Sequence, residues 1–180
     1  MNKLFVGIAL AASFALPASA QSVKSEVTAT NGVVVTVYSD DFANRYEYSA
    51  PVINFPDGYA LVARIVRPGI TPKTNIQGSL SYRGEWRRYS TALFRGGAEA
   101  SYNAGSREVV SCSGSRYGGG CNLREGFSID LAPAQIRDHT QDGVIDIQVR
   151  AQDTSTALIK IPASYIEAVN EVAGHRSSAK

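Results

Sequence analysis

The chain has 180 residues, 44% hydrophobic and 19% charged, with 18 Lys and Arg against 16 Asp and Glu. That length suits one domain with its own core, and so even a charge balance gives no reason to expect nucleic acid or bulk membrane-surface attraction. With two His and two Cys in the whole chain, and no cofactor fingerprint, neither a metal nor a cofactor is expected.

The first twenty residues read as an export signal. Lys3 supplies positive charge, Leu4 to Leu16 is apolar, and Ala18-Ser19-Ala20 ends the stretch with small residues. The apolar core is shorter than the ~20 residues that span a bilayer, so cleavage after Ala20 is expected and the mature chain begins at Gln21. Without Lys3 there remain 17 basic residues against 16 acidic. No Cys lies near the cleavage site to carry a lipid, and no second stretch reaches membrane-spanning length. The leader looks bacterial, and the expected location is periplasmic or secreted, with no membrane span.

From Val23 to Ile161, short runs rich in Val, Ile, Thr and Tyr are broken by Gly, Pro, Asn or Asp, the rhythm of an all-β domain. Val23–Thr30 and Val33–Tyr38 flank Asn31-Gly32, which predicts an antiparallel hairpin with a type I′ turn. Further strands are predicted at Tyr46–Phe55, Tyr59–Arg67, Thr74–Arg83, Trp86–Arg95, Arg107–Cys112, Asn122–Leu131, Gly143–Ala151 and Ala157–Ile161. Tyr59 to Val66 is apolar on both parities except Arg64, which suggests a strand covered on both faces. Ile145, Ile147 and Val149 alternate with Asp146 and Gln148, so that strand should have one wet face. Ala98 to Ser106 reads as a surface loop.

Two segments read as helical. Pro133 sits where a first helical turn accepts it, giving a short connecting helix before Gly143. Pro162 to Val172 places Tyr165, Val169 and Val172 on one stripe, with Gly174 as the cap and residues 175–180 as a disordered tail. The expected architecture is a single antiparallel β-sandwich over residues 21–174, Ig-like or related, with a closed barrel as the alternative.

In an oxidising compartment Cys112 and Cys121 should form a structural disulfide, because the spacing fits neither a Cys-x-x-Cys redox motif nor a zinc site. The enclosed loop presents Arg116 and Tyr117 among Ser and Gly, and Arg and Tyr are common binding anchors. Gly118-Gly119-Gly120 is a weak phosphate-loop signal, since no Lys and no helix follow.

Charge is uneven. Between Gly58 and Ala98 stand Arg64, Arg67, Lys73, Arg83, Arg87, Arg88 and Arg95 against the single acid Glu85; between Asp130 and Glu171 acids prevail. One reading is a basic surface for an anionic envelope polymer or protein, formed on a hairpin where Tyr82, Trp86 and Tyr89 interleave with Arg83, Arg87 and Arg88. The other is internal complementarity, with basic and acidic strands side by side and Arg stems over aromatic rings.

Catalytic patterns are sparse. His139 and His175 lack a nucleophile elbow or a metal-binding partner, and Asp40-Asp41 with Asn44, or Asp138 with Asp142, are explained by turns. The expectation is therefore a non-enzymatic binding or structural module of the envelope. An exported inhibitor of a protease or lysozyme-type hydrolase is the alternative. A hydrolase with a site assembled from distant strands around His139 comes third.

Overall fold

The computed structural model describes residues 22–114 and 120–177, with side chains described through His175. Its strands are β1 (Val23–Thr28), β2 (Val34–Asp40), β3 (Arg45–Ser49), β4 (Ile53–Phe55), β5 (Gly58–Val66), β6 (Thr74–Gly84), β7 (Tyr89–Phe94), β8 (Glu99–Cys112), β9 (Cys121–Leu131), β10 (Thr140–Gln141), β11 (Val144–Ala151) and β12 (Thr156–Pro162). The helices are α1 (Pro133–His139) and α2 (Ala163–Ser177).

All twelve strands belong to one antiparallel sheet in the order β1-β2-β3-β5-β6-β9-β8-β7-β11-β10, with β4 added to β5 and β12 to β11. The sheet is open: β1 and β10 end the order and do not pair with each other, so the barrel alternative does not hold. β8 turns the corner. Its first residues pair Ala100 with Ala92 on β7, and the rest of the strand pairs with β9 out to Cys112 opposite Cys121. The two halves of this sandwich-like sheet share one core with α2, which packs on β2, β3 and β5 from one half and on β12 from the other.

Alternation explains most of the burial. On β11, Ile145, Ile147 and Val149 are fully buried while the intervening residues are not, each such side chain contributing about 1.5–3 kcal/mol. On β9, Leu123, Glu125, Phe127, Ile129 and Leu131 all lie on the buried parity. Ile166, Val169 and Val172 carry the buried stripe of α2. Arg64, the one charge in the β5 run, turns toward that helix: its Nη1 donates to Asn170 Oδ1 at 2.9 Å and to Thr74 Oγ1 at 3.3 Å. Gly78 permits the tight β5-β6-β9 packing, since a Cβ there would stand 2.5 Å from both Phe127 Cζ and the Tyr59 carbonyl oxygen.

Three local expectations are corrected. The β1-β2 connection is a three-residue loop, Thr30 to Gly32, closed by Ala29 N–H donating to Val33 O at 2.9 Å, and only Gly32 in it has positive φ (+83°). The Asn31 side chain instead accepts from Val33 N–H at 3.2 Å and donates to Ser164 O at 2.8 Å. The two-residue I′ geometry occurs at Asp142-Gly143, both at positive φ, between Gln141 and Val144. Residues 99–106 are strand, not loop, because they bridge β7 and β9. Finally, α2 runs through Gly174 to Ser177; the ~1 kcal/mol cost of a helical Gly is outweighed by the buried Val172 and Ala173 beside it. Residues 178–180 lie outside those described.

Candidate functional site

The segment Tyr82 to Tyr89 is not a hairpin. β6 pairs with β5 and β9, whereas β7 pairs with β8 and β11, so the four residues between them cross from one half of the sheet to the other. The crossing needs unusual backbone, with Gly84 at φ +121° and Arg88 at φ +58°. For a non-glycine residue the left-handed region costs roughly 1–2 kcal/mol, and something must hold it there.

Glu125 supplies that hold. Its side chain is 4% exposed, and its Oε1 accepts from Arg88 N–H at 2.9 Å while Oε2 accepts from Tyr89 N–H at 3.3 Å and from Arg107 Nε at 3.3 Å. The Tyr82 hydroxyl donates to Oε1 and accepts from Arg87 N–H at 3.0 Å. Three successive backbone amides thus end on one buried carboxylate and the phenol bound to it. Such a carboxylate is tolerated because its lone pairs are spoken for and one cation stands beside it.

The aromatic rings around it respond electrostatically. Burial, then the hydrogen bond to Glu125, pushes the Tyr82 phenol up to about 12. Burial, then the Glu125 charge, does the same to Tyr102, also to about 12. The Arg87 guanidinium lies 4.5 Å above the Tyr82 ring and donates from Nη1 to Tyr89 Oη at 3.2 Å; this last bond raises its pKa further.

The sequence-nominated residues therefore separate into two groups. Tyr89 is buried and Tyr82 and Arg87 are half-buried, and together they build the platform. Arg83 and Arg88 are exposed and Trp86 is half-exposed. Arg116 and Tyr117 lie outside the described residues. At the same end of the sheet, where Cys121 stands opposite Gly84, Cys112 and Cys121 are disulfide-bonded with Cα atoms 4.0 Å apart. Arg83 Nη2 also donates to Ser113 Oγ at 2.9 Å, and the Arg83 stem covers Gly120, where a Cβ would meet Nε at 3.2 Å.

Internal complementarity accounts for other basic residues. Arg95 pairs with Asp146 and Lys73 with Asp130 at 3.4 Å, joining the basic run to the acidic one. Glu125 and Arg107 are the members of the site that sequence reading missed. The signal was present: Glu125 is a lone carboxylate on the buried parity of Leu123, Phe127, Ile129 and Leu131, a position that demands partners.

His139 stacks on Phe94, with ring centroids 4.1 Å apart and planes at 5°. It lines a polar pocket of about 190 Å³ with Arg95, Asp142, Asp146 and Lys160. No hydroxyl or thiol side chain lines that pocket. Among the described residues no group of His, Cys, Asp and Glu could hold a metal ion, and no helix is long and apolar enough to cross a membrane.

Comparison with protein family models, with curated proteins and with solved structures finds no match to this chain. Its function must be argued from the site.

Proposed function

We propose that this chain is an exported, non-enzymatic binding module of the bacterial envelope, and that its contact surface is the end of the sheet formed by Gly84–Arg88 and the disulfide-closed tip beyond Cys112. One observation carries the reading: a buried carboxylate fixes a short loop in costly backbone geometry, and that loop displays cations. Arg88 is exposed on the strained residue itself, and Arg83 is exposed beside Ser113 and Gly120. A preorganised loop pays less ordering entropy on association, which is the usual return for such geometry. The partner is an anionic envelope polymer or protein surface, met by Arg83 and Arg88 with Trp86 alongside.

The inhibitor reading uses the same end, because the Cys112–Cys121 bridge ties the ends of β8 and β9 together there. The two part company on the partner. An inhibitor forms a tight complex with a hydrolase and stops turnover, whereas the module binds acidic polymer in a salt-dependent way.

The test is titration of an acidic envelope polysaccharide into wild type and into Arg83→Glu/Arg88→Glu, followed by thermal shift and calorimetry at several salt concentrations. The wild-type midpoint rises, since a ligand that binds only the folded state must raise it, and the gain shrinks with salt and vanishes in the variant. A midpoint unmoved by polysaccharide, or moved equally in the variant, overturns the assignment.

A further inference from the structure

The outermost strand, β1, ends the sheet with one edge free. Among the described residues it pairs only with β2, in continuous register from Val23 opposite Ser39 to Thr28 opposite Val34, and all six of its residues are exposed. A free edge of this length is a template for another strand, and proteins ordinarily blunt such edges with bulges, Pro or uncompensated Lys. The free stretch of β8 is blunted in that way: its ladder with β9 shifts register between Ala104 and Arg107 and again between Val109 and Ser111. β1 has no bulge and no Pro, and its one Lys is matched by a Glu.

The direction of its amides follows from the turn. Ala29 N–H donates to Val33 O at 2.9 Å, so Ala29, and by alternation Val27, Ser25 and Val23, direct their amides inward to β2. Lys24 and Glu26 direct theirs outward. The side chains alternate as well. Val23, Ser25 and Val27 share a face with the buried Val35 and Val37, yet Val23 is 60% and Val27 42% exposed. The helix α2, which covers β2 and β3, leaves this margin of the core face open.

We infer that β1 is the contact strand of a twofold dimer, in which β1 of a second copy pairs antiparallel with it about Ser25. The sequence Val23-Lys24-Ser25-Glu26-Val27 is complementary to itself when reversed. Centred on Ser25, Lys24 faces Glu26 of the other copy and Glu26 faces its Lys24. Val23 meets Val27 twice on the opposite face.

Both charged pairs fall on residues whose amides point outward, so each also exchanges two backbone hydrogen bonds. The registers centred on Lys24 or Glu26 put like charges face to face, and the one centred on Val27 leaves both charges unmatched. The Lys24–Glu26 pair within one copy is 3.4 Å long with side chains 56% and 59% exposed. It is worth little where it stands and is readily exchanged for two pairs across the axis. The contact is isologous and closes on itself, giving a dimer and not a fibre.

Sedimentation equilibrium on the protein as its producing cells process it, with the N-terminus read by mass spectrometry, tests this. Wild type gives a dimer mass. Lys24→Glu and Glu26→Lys each place two like-charged pairs across the axis and weaken association roughly tenfold or more. The double variant regains wild-type affinity, and a mixture of the two single variants forms a heterodimer. At the central non-hydrogen-bonded position the Cα atoms of the two copies stand about 4.5 Å apart, within disulfide reach. Ser25→Cys therefore gives a covalent dimer on oxidation and Glu26→Cys does not. A monomer mass at all concentrations, a dimer indifferent to both single charge reversals, or no Ser25→Cys crosslink overturns the inference.

Discussion

Thr30 holds the Glu171 carboxylate with two donors, its hydroxyl at 2.8 Å and its backbone N–H at 3.0 Å, joining the first turn of the fold to its last helix. These bonds, the hydroxyl's first, hold the Glu171 carboxyl below the usual 4.5. The folded state thus favours the ionised form. The resulting stability is complete above the unfolded value and is lost as pH falls through the lower folded value. Glu171→Gln is expected to unfold at a lower temperature than wild type near neutrality, and the gap should close as pH falls below the ordinary 4.5 and on through the lower folded value. Thermal melts across the acid range check both.

Removing the central carboxylate should be among the most damaging single changes. Glu125→Ala leaves the Arg88 and Tyr89 amides and the Arg107 guanidinium without their acceptor, at a cost of about 3 kcal/mol. Urea unfolding measures the loss. Amide exchange at Arg88 and Tyr89 should accelerate more than at Ile147, in the middle of β11.

At high pH the phenols take over. Tyr82 and Tyr102 ionise near 12 when folded against 10.0 ordinarily. Folding favours their neutral forms, so their contribution is intact below pH 10 and is lost as pH rises toward 12. A near-ultraviolet titration should show a late-ionising tyrosine phase, and Tyr82→Phe should reduce it.

The disulfide closes a loop of nine-residue separation, which on the chain-entropy model contributes roughly 2.5 kcal/mol. Reduction, or Cys112→Ser with Cys121→Ser, should lower the unfolding free energy by about that amount while far-ultraviolet dichroism stays native. Loss of all sheet signal on reduction would assign the bridge a larger role.

Much of this architecture was legible because alternation is a local signal. Ile145, Ile147 and Val149 announce a one-sided strand, and Pro133 announces the short helix. What stayed hidden depended on strand order. Nothing between Tyr82 and Tyr89 says that the two strands flanking this segment belong to different halves, and closeness in sequence suggests a hairpin where the chain instead crosses between them. Residues 99–106 resemble a loop for the converse reason: Gly105 and Asn103 have poor strand preference, and the ladder to β9, with Glu99 and Ala100 also paired to β7, outweighs it. Glu125 could have been found, since a carboxylate on an apolar parity is a local anomaly. Its partners come from two distant stretches, Arg88 with Tyr89 and, apart from them, Arg107, and could not.

The placement of α2 also sets an order of events. Val35, Val37 and Tyr48, near the start of the chain, are buried against a helix that ends at Ser177, with β12 on its far side. Whenever the chain emerges from one end, whether from a ribosome or through a translocation pore, its earliest strands must wait for its last fifteen-residue helix before their apolar face is covered. Until that helix is made, the apolar face of β2 and β3 lacks the cover α2 gives it, so the first strands of the described chain depend on a segment from its opposite end.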